Sequence, residues 1–191
     1  TRAGTCHKGA TGKPGPAFEE GRKDLAPGLF GPCGYGLPAI VGAKIGRPDV
    51  PVVGFAGDGA FGIAVNELTA IGRSEWPGIT QIVFRNYQWG AEKRNSTLWF
   101  DDNFVGTELD DDVSYAGIAQ ACGLKGVVAR TMDELTDALN QAIKDQMENG
   151  TTTLIEAMIN QELGEPFRRD AMKKPVSVAG ISRDDMRPQK V

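Results

Sequence analysis

Two residues stand where the chain could do metal chemistry. Asp58 lies in Gly57-Asp58-Gly59, directly after the apolar run Val52-Val53-Gly54-Phe55-Ala56. Asn86 follows a second apolar run that ends Val83-Phe84-Arg85, and Tyr87-Gln88-Trp89-Gly90 comes after it. Two neighbouring strands ending at these points would bring one carboxylate oxygen and one amide oxygen to the same sheet edge. A backbone carbonyl beyond Asn86, such as that of Gln88, could add a third oxygen. Hard oxygens in such a cluster suit an octahedral divalent cation, Mg2+ above all, and the cation can in turn hold a diphosphate. Gly59 and Ala60 would then offer backbone N–H groups to the phosphate at the start of a helix.

Two other readings compete. Asp58 could be an ordinary helix N-cap and Asn86 an ordinary turn residue. Gly57-Asp58-Gly59-Ala60-Phe61-Gly62 also satisfies G-x-G-x-x-G between a strand and a helix, the dinucleotide fingerprint. Against the fingerprint, a carboxylate at its second position would face the pyrophosphate, and two anions repel unless a cation separates them. The acid expected further on is also lacking: Glu75 is the nearest, in the irregular stretch Ser74-Glu75-Trp76-Pro77.

The elements that must position these residues follow from periodicity. Val50 to Ala56 is β-branched without alternation, as in a strand buried on both faces. Ile63, Val65, Leu68 and Ile71 predict a helix over 61–73, and Ile79 to Phe84 the next strand. Upstream, the glycine turn Gly31-Pro32-Cys33-Gly34-Tyr35-Gly36 opens a helix with Pro38 in its first turn. Residues 86–112 show no period and read as a long loop of the kind that is often functional. A short helix from Ser114 to Cys122 is stopped by Gly123, and a strand spans Gly126 to Ala129. Thr131-Met132-Asp133-Glu134 predicts a capping box for a helix with Leu135, Ala138, Leu139, Ala142, Ile143 and Met147 on one stripe, ending at Asn149-Gly150. Thr152 to Ile159 is a fourth strand. Repeated strand–helix units with buried strands define an α/β fold, a three-layer α/β/α domain on a parallel sheet.

With 191 residues and 40% apolar content, the chain suffices for one packed domain, and a net charge of −4 marks no nucleic-acid or membrane-binding surface. Cys6, Cys33 and Cys122 are odd in number and widely spaced, which suits free thiols in the cytoplasm. His7, the single histidine, lies beside Cys6 without further metal ligands nearby. Gly9-Ala10-Thr11-Gly12-Lys13-Pro14 fails the spacing of a phosphate-binding loop. Residues 1–28 therefore read as an extended, flexible or non-native segment, 29–160 as the α/β domain, and 161–191 as a tail packing on the domain or on a neighbouring subunit. Arg168, Arg169, Lys173 and Lys174 cluster in that tail.

Gly57-Asp58-Gly59 with Asn86, paired with Gly31-Pro32-Cys33-Gly34-Tyr35-Gly36-Leu37-Pro38-Ala39 upstream, resembles the thiamine-diphosphate site of the acetolactate synthase and pyruvate decarboxylase superfamily. The resemblance spans roughly residues 28–160 and implies the diphosphate-binding domain. It implies thiamine diphosphate and Mg2+ as cofactors, with Asp58, Asn86 and Gln88 on the metal. Gly57, Gly59, Ala60 and Gly90 would border the cofactor. The Gly31 carbonyl and the Cys33 N–H would meet its aminopyrimidine ring. The usual Asn-Asn pair is here Arg85-Asn86, and Cys33 stands where many members carry a larger apolar residue.

Three segments are similar to the sulfoacetaldehyde acetyltransferases within this superfamily: Gln88-Trp89-Gly90-Ala91-Glu92-Lys93, Gly106-Thr107-Glu108-Leu109-Asp110, and 162–171 from Glu162 to Ala171. Residues 1–27 carry no part of this resemblance. The likeness implies acetyl phosphate and sulfite as products from sulfoacetaldehyde and phosphate. Both substrates are anions, so Arg168 and Arg169 are candidate anion-binding residues, with Lys93 and Arg94 behind them. Cofactor activation would come from a glutamate of a separate pyrimidine-binding domain. The chain would then be the C-terminal part of a longer polypeptide, a homo-oligomer with its site at a subunit interface, and inactive alone. An acetolactate synthase-like carboligase, a 2-oxoacid decarboxylase and a non-catalytic cofactor-binding module remain open as alternatives.

Overall fold

A computed structural model describes residues 2–3, 24–27, 31–73 and 75–162. Its sheet is parallel throughout, in the order β2-β1-β3-β4-β6-β5. The strands are β1 (Arg2–Ala3), β2 (Asp24–Leu25), β3 (Val53–Gly57), β4 (Thr80–Arg85), β5 (Lys125–Ala129) and β6 (Thr153–Met158). The four long strands match the expected ones to within a few residues. The pairs 2–3 and 24–25 add to the β3 side of the sheet. Two-residue strands carry no period, so the sequence read only extended chain there. Cys6, His7 and residues 9–14 lie outside the described residues.

Six helices accompany the strands: α1 (Gly36–Gly46), α2 (Asp58–Gly62), α3 (Leu68–Ile71), α4 (Gly90–Trp99), α5 (Tyr115–Ala121) and α6 (Met132–Asn149). Among the described residues no helix is long and apolar enough to cross a membrane. The helix expected over 61–73 is instead broken into α2, a 3-10 turn at Val65–Glu67, and α3. The apolar stripe survives only in part: Leu68 and Ile71 are buried, whereas Ile63 is 57% exposed. The presumed loop 86–112 contains the ten-residue α4. Few apolar residues mark an inward face there, so periodicity could not announce it.

Helices cover both faces of the sheet. On one face Leu37, Ile40, Phe61, Leu68, Ile71, Ala116 and Ala119 pack on Val52, Ala56, Ile79, Val83 and Leu154. On the other, Ala142, with Leu135, Ala138 and Leu139 of α6, packs on Ile82, Ala129, Ile155 and Ala157. Burying each large aliphatic side chain contributes about 1.5–3 kcal/mol. At Gly126 an added Cβ would collide with the Ala116 carbonyl, so α5 lies directly on β5 only because no side chain intervenes.

Polar side chains fix the layers in register. Gln146 of α6 accepts from the Val52 N–H at 2.7 Å and donates to the Val52 carbonyl at 2.9 Å and to Thr80 Oγ1 at 2.8 Å. Lys44 is buried at the end of α1, donating to the carbonyls of Pro48 and Val50. Burial lowers its pKa despite the opposing influence of Asp49. At the start of α6 the Thr131 hydroxyl accepts from the Glu134 N–H. Glu134 reaches back to the Arg130 N–H rather than to that of Thr131, a capping box displaced by one residue. Gly150 ends the helix in the left-handed conformation, φ +64°.

Candidate functional site

β3 and β4 are neighbours with Gly57 paired to Phe84, so Asp58 and Asn86 emerge together at the carboxyl ends of the strands. Ligands of open α/β sheets sit outside this edge. An open cleft of about 370 Å³ lies here, lined by Cys33, Gly57, Asp58, Gly59, Ala60, Phe84, Asn86, Gln88, Trp89, Gly90, Ala91, Glu92 and Ile159. Of the residues expected to hold the cofactor and metal, Gly31 alone is not part of this lining; it sits in the turn before Cys33 with φ +59°. Arg168 and Arg169 lie outside the described residues. Lys93 pairs with Glu108 and sits over the Phe104 ring, and Arg94 is buried.

Asp58 is not an N-cap. Gly57 takes that position and α2 has no side-chain cap. The Asp58 carboxylate is 1% exposed and its two oxygens do different work. Oδ2 accepts from Arg85 Nη1 at 3.2 Å, the Asn86 N–H at 3.1 Å and the Tyr87 N–H at 2.7 Å. Oδ1 accepts from the Gly59 N–H at 3.0 Å. That bond turns the Gly59 amide back onto Asp58, where the sequence reading had aimed it at a phosphate. The chain reaches this geometry through Tyr87, whose φ is +60°. A non-glycine residue held in the left-handed region is a strain that folds tend to keep where the local geometry is used.

A terminal amide atom of Asn86 lies 3.1 Å from Asp58 Oδ1 and 3.1 Å from the Gln88 carbonyl oxygen. With its nitrogen in that place Asn86 donates to both. With its oxygen there, three oxygens converge. An ion with ligands at about 2.1 Å in an octahedron sets neighbouring oxygens about 3 Å apart. In that orientation Asn86 Oδ1 stands at the spacing of neighbouring Mg2+ ligands from both Asp58 Oδ1 and Gln88 O, and all three are hard oxygens.

Other side chains shape the cleft. The Trp89 ring packs against Gly59, where an added Cβ would come within 2.8 Å of ring carbons. Burial raises the Cys33 thiol pKa, with Glu92 reinforcing the effect. Tyr115 donates to the Asp58 carbonyl at 3.1 Å and meets Phe61 edge-on at 5.2 Å; burial is the main reason its hydroxyl pKa is raised.

The sequence reading missed Glu156 and gave Arg85 no task. Arg85 is 1% exposed and Glu156 is 3% exposed. The Arg85 guanidinium lies between the carboxylates, with Nη1 3.2 Å from Asp58 and Nε 3.6 Å from Glu156. Glu156 accepts from Ser114 Oγ and the Ala116 N–H. A signal was present. Arg85 closes one buried apolar run and Glu156 interrupts another, and opposite charges in such places are nearly always paired.

A parallel α/β sheet with an oxygen cluster at its carboxyl edge, facing a glycine turn across a cleft, defines a class of diphosphate-binding domain. The model of the family "Thiamine pyrophosphate enzyme, C-terminal TPP binding domain" matches residues 4–157, and the chain belongs to that family. Its similarity to individual members is high. It is 85% identical over 182 residues to the sulfoacetaldehyde acetyltransferase of Roseovarius nubinhibens, covering 95% of this chain and 30% of the relative. It is 45% identical over 167 residues to that of Castellaniella defragrans, covering 87% of this chain and 28% of the relative. Acetolactate synthase isozyme 2 large subunit of Escherichia coli is 33% identical over 111 residues, 58% of this chain and 20% of its own. The chain thus spans about 30% of the length of the acetyltransferases it matches. The family match begins at residue 4, ahead of the 28–160 span of the resemblance. Among solved structures, the thiamine diphosphate-dependent 4-hydroxybenzoylformate decarboxylase of Rhodococcus jostii RHA1 superposes with a TM-score of 0.63 at 25% identity, covering 74% of this chain and 25% of the other.

Proposed function

We propose that this chain is the diphosphate-binding portion of a thiamine-diphosphate-dependent sulfoacetaldehyde acetyltransferase. The whole enzyme would convert sulfoacetaldehyde and phosphate to acetyl phosphate and sulfite. The observation that carries the cofactor reading is the convergence of Asp58 Oδ1, the Asn86 amide and the Gln88 carbonyl at 3.1 Å spacings. The substrate rests on the 85% identity to an acetyltransferase.

Under this reading Asp58, Asn86 and Gln88 hold Mg2+, and the metal holds the diphosphate against the α2 turn at Gly57 to Ala60. Gly90 and Trp89 close one wall of the cleft. Gly31 and Cys33 present backbone to the aminopyrimidine ring. When bound, the cofactor supplies a stabilised carbanion for attack on a carbonyl carbon. The protein's share at this end is to anchor and orient, while Phe84 and Ile159 keep the floor of the cleft apolar. The group that activates the cofactor, and the anion-binding cations, are assigned to parts of the enzyme beyond the described residues. A homo-oligomer with the site at a subunit interface and a cytoplasmic setting complete the proposal.

Titration of thiamine diphosphate into the chain, with Mg2+ and with EDTA, tests the cofactor site. Binding that needs Mg2+ and is lost in Asp58→Ala is the expected result; equal binding by both proteins would sink the metal assignment. Sulfite release from sulfoacetaldehyde, against CO2 release from pyruvate, tests the substrate in the enzyme that contains this chain. The 191 residues alone are expected not to turn over, and acetyl phosphate formation by them would refute that.

A further inference from the structure

Arg85 occupies the place where the superfamily pattern has the first residue of an Asn-Asn pair, and it cannot ligate a cation. Its surroundings indicate a different task. One guanidinium nitrogen, Nη1, holds Asp58 Oδ2 at 3.2 Å. The other, Nη2, donates to the carbonyls of Asp110 and, at 3.1 Å, Val113. Nε faces Glu156 Oε1 at 3.6 Å. The guanidinium carbon lies 4.2 Å from the Tyr87 ring centroid and 5.1 Å from that of Tyr115. One planar fork thus touches the carboxylate, the residue that follows Asn86, and the far end of the segment that begins at Asn86.

We propose that Arg85 is the positioning residue of the metal clamp, fixing which Asp58 oxygen faces the cation and holding residues 86–113 against it, with Glu156 keeping the guanidinium in place. The inference rests on the metal–diphosphate reading above. Arg85 and two backbone amides occupy Oδ2, so Oδ1 is the carboxylate oxygen left facing Asn86 and Gln88. A free carboxylate rotates, and rotation would present either oxygen with equal ease. The arginine also offsets a second buried carboxylate. Without a cation between them Asp58 and Glu156 would be two anions in a site closed to water, which is strongly unfavourable. Glu156 is itself held by Ser114 Oγ at 2.9 Å and the Ala116 N–H at 3.0 Å, so the chain of contacts ends on the rigid start of α5. Lysine could not replace the fork, since it is a single point charge unable to reach both Asp58 and the loop carbonyls in fixed geometry.

The test measures the Mg2+ concentration needed for half-maximal thiamine diphosphate binding in the parent chain, in Arg85→Lys, and in the double variant Arg85→Met with Glu156→Gln. The double variant removes one charge of each sign, so the net buried charge is unchanged and no carboxylate is left buried without its partner beyond Asp58 itself. Loss of an outer-layer partner of a metal ligand typically weakens metal binding about 10–100-fold. A rise of that order is expected in the double variant, and a smaller rise in Arg85→Lys. Amide exchange at Tyr87 and Gln88 should speed up in both. A merely structural arginine would lower thermal stability and leave the Mg2+ requirement where it was. Half-saturation within about twofold of the parent in folded Arg85→Lys overturns the proposal, and that variant decides the matter if the double variant does not fold. Failure of the parent chain to show any Mg2+-dependent binding would remove the clamp reading itself, an outcome distinct from failure of the arginine's role.

Discussion

At the scale of single residues, the site works by dividing one side chain between two tasks. Asp58 Oδ2 is bound to protein donors and Oδ1 faces the cleft. Tyr115 supports the same residue from behind through its bond to the Asp58 carbonyl. Tyr115→Phe removes that bond and keeps the ring under Arg85. The expected loss is about 0.5–1.5 kcal/mol of stability, read by urea denaturation, with Mg2+-dependent binding retained. A second single-residue effect lies far from the site. The Asp49 carboxyl is lowered from 3.8 to about 2, chiefly by hydrogen bonds from Arg47. Its folded pKa is below the unfolded one, so the pair favours the fold above about pH 4. That contribution is lost as pH falls through about 2. Both side chains are largely exposed, so solvent screens the pair and little of the fold's stability depends on it. An NMR carboxyl titration should find the midpoint near 2, moving back toward 3.8 in Arg47→Ala.

At the scale of elements, the sequence announced whatever had a strong period or a chemical stop. The strands β3, β4 and β6 are apolar on both faces and were legible for that reason, as were the capped start and the glycine end of α6. Thr131→Ala should cost about 1 kcal/mol, seen as a drop in melting temperature of about 2–4 °C. Helix α4 was not legible, because its sequence carries no apolar period. The segment after Asp58 was misread as one helix, since its apolar spacing continues through a 3-10 turn that local packing imposes. In the candidate site Asp58, Asn86 and the Gln88 carbonyl were legible from residue type and spacing. The task of Arg85 was not, because it depends on Glu156 and on carbonyls of Asp110 and Val113, which are remote in sequence. Only the topology, with β6 beside β4, brings them together.

At the scale of the whole molecule, the sheet places the Asp58–Asn86–Gln88 oxygens, the glycine turn and the end of β6 at a single edge. Loading the proposed site should therefore stabilise the entire fold through mass action. At a cofactor concentration about 100 times its dissociation constant the gain is about 2.7 kcal/mol. A rise in melting temperature with thiamine diphosphate and Mg2+ together, abolished by EDTA, is the expected outcome; a rise with EDTA present would count against metal-assisted binding. The left-handed Tyr87 bears on how quickly this happens. It bends the backbone so that the Asn86 and Tyr87 amides rest on Asp58 Oδ2. A backbone held in this way by its own hydrogen bonds offers the proposed ion a pre-organised seat. The slow event in loading is then the ion's own reluctance to shed water, so the rate should follow the identity of the cation far more than the viscosity of the solution.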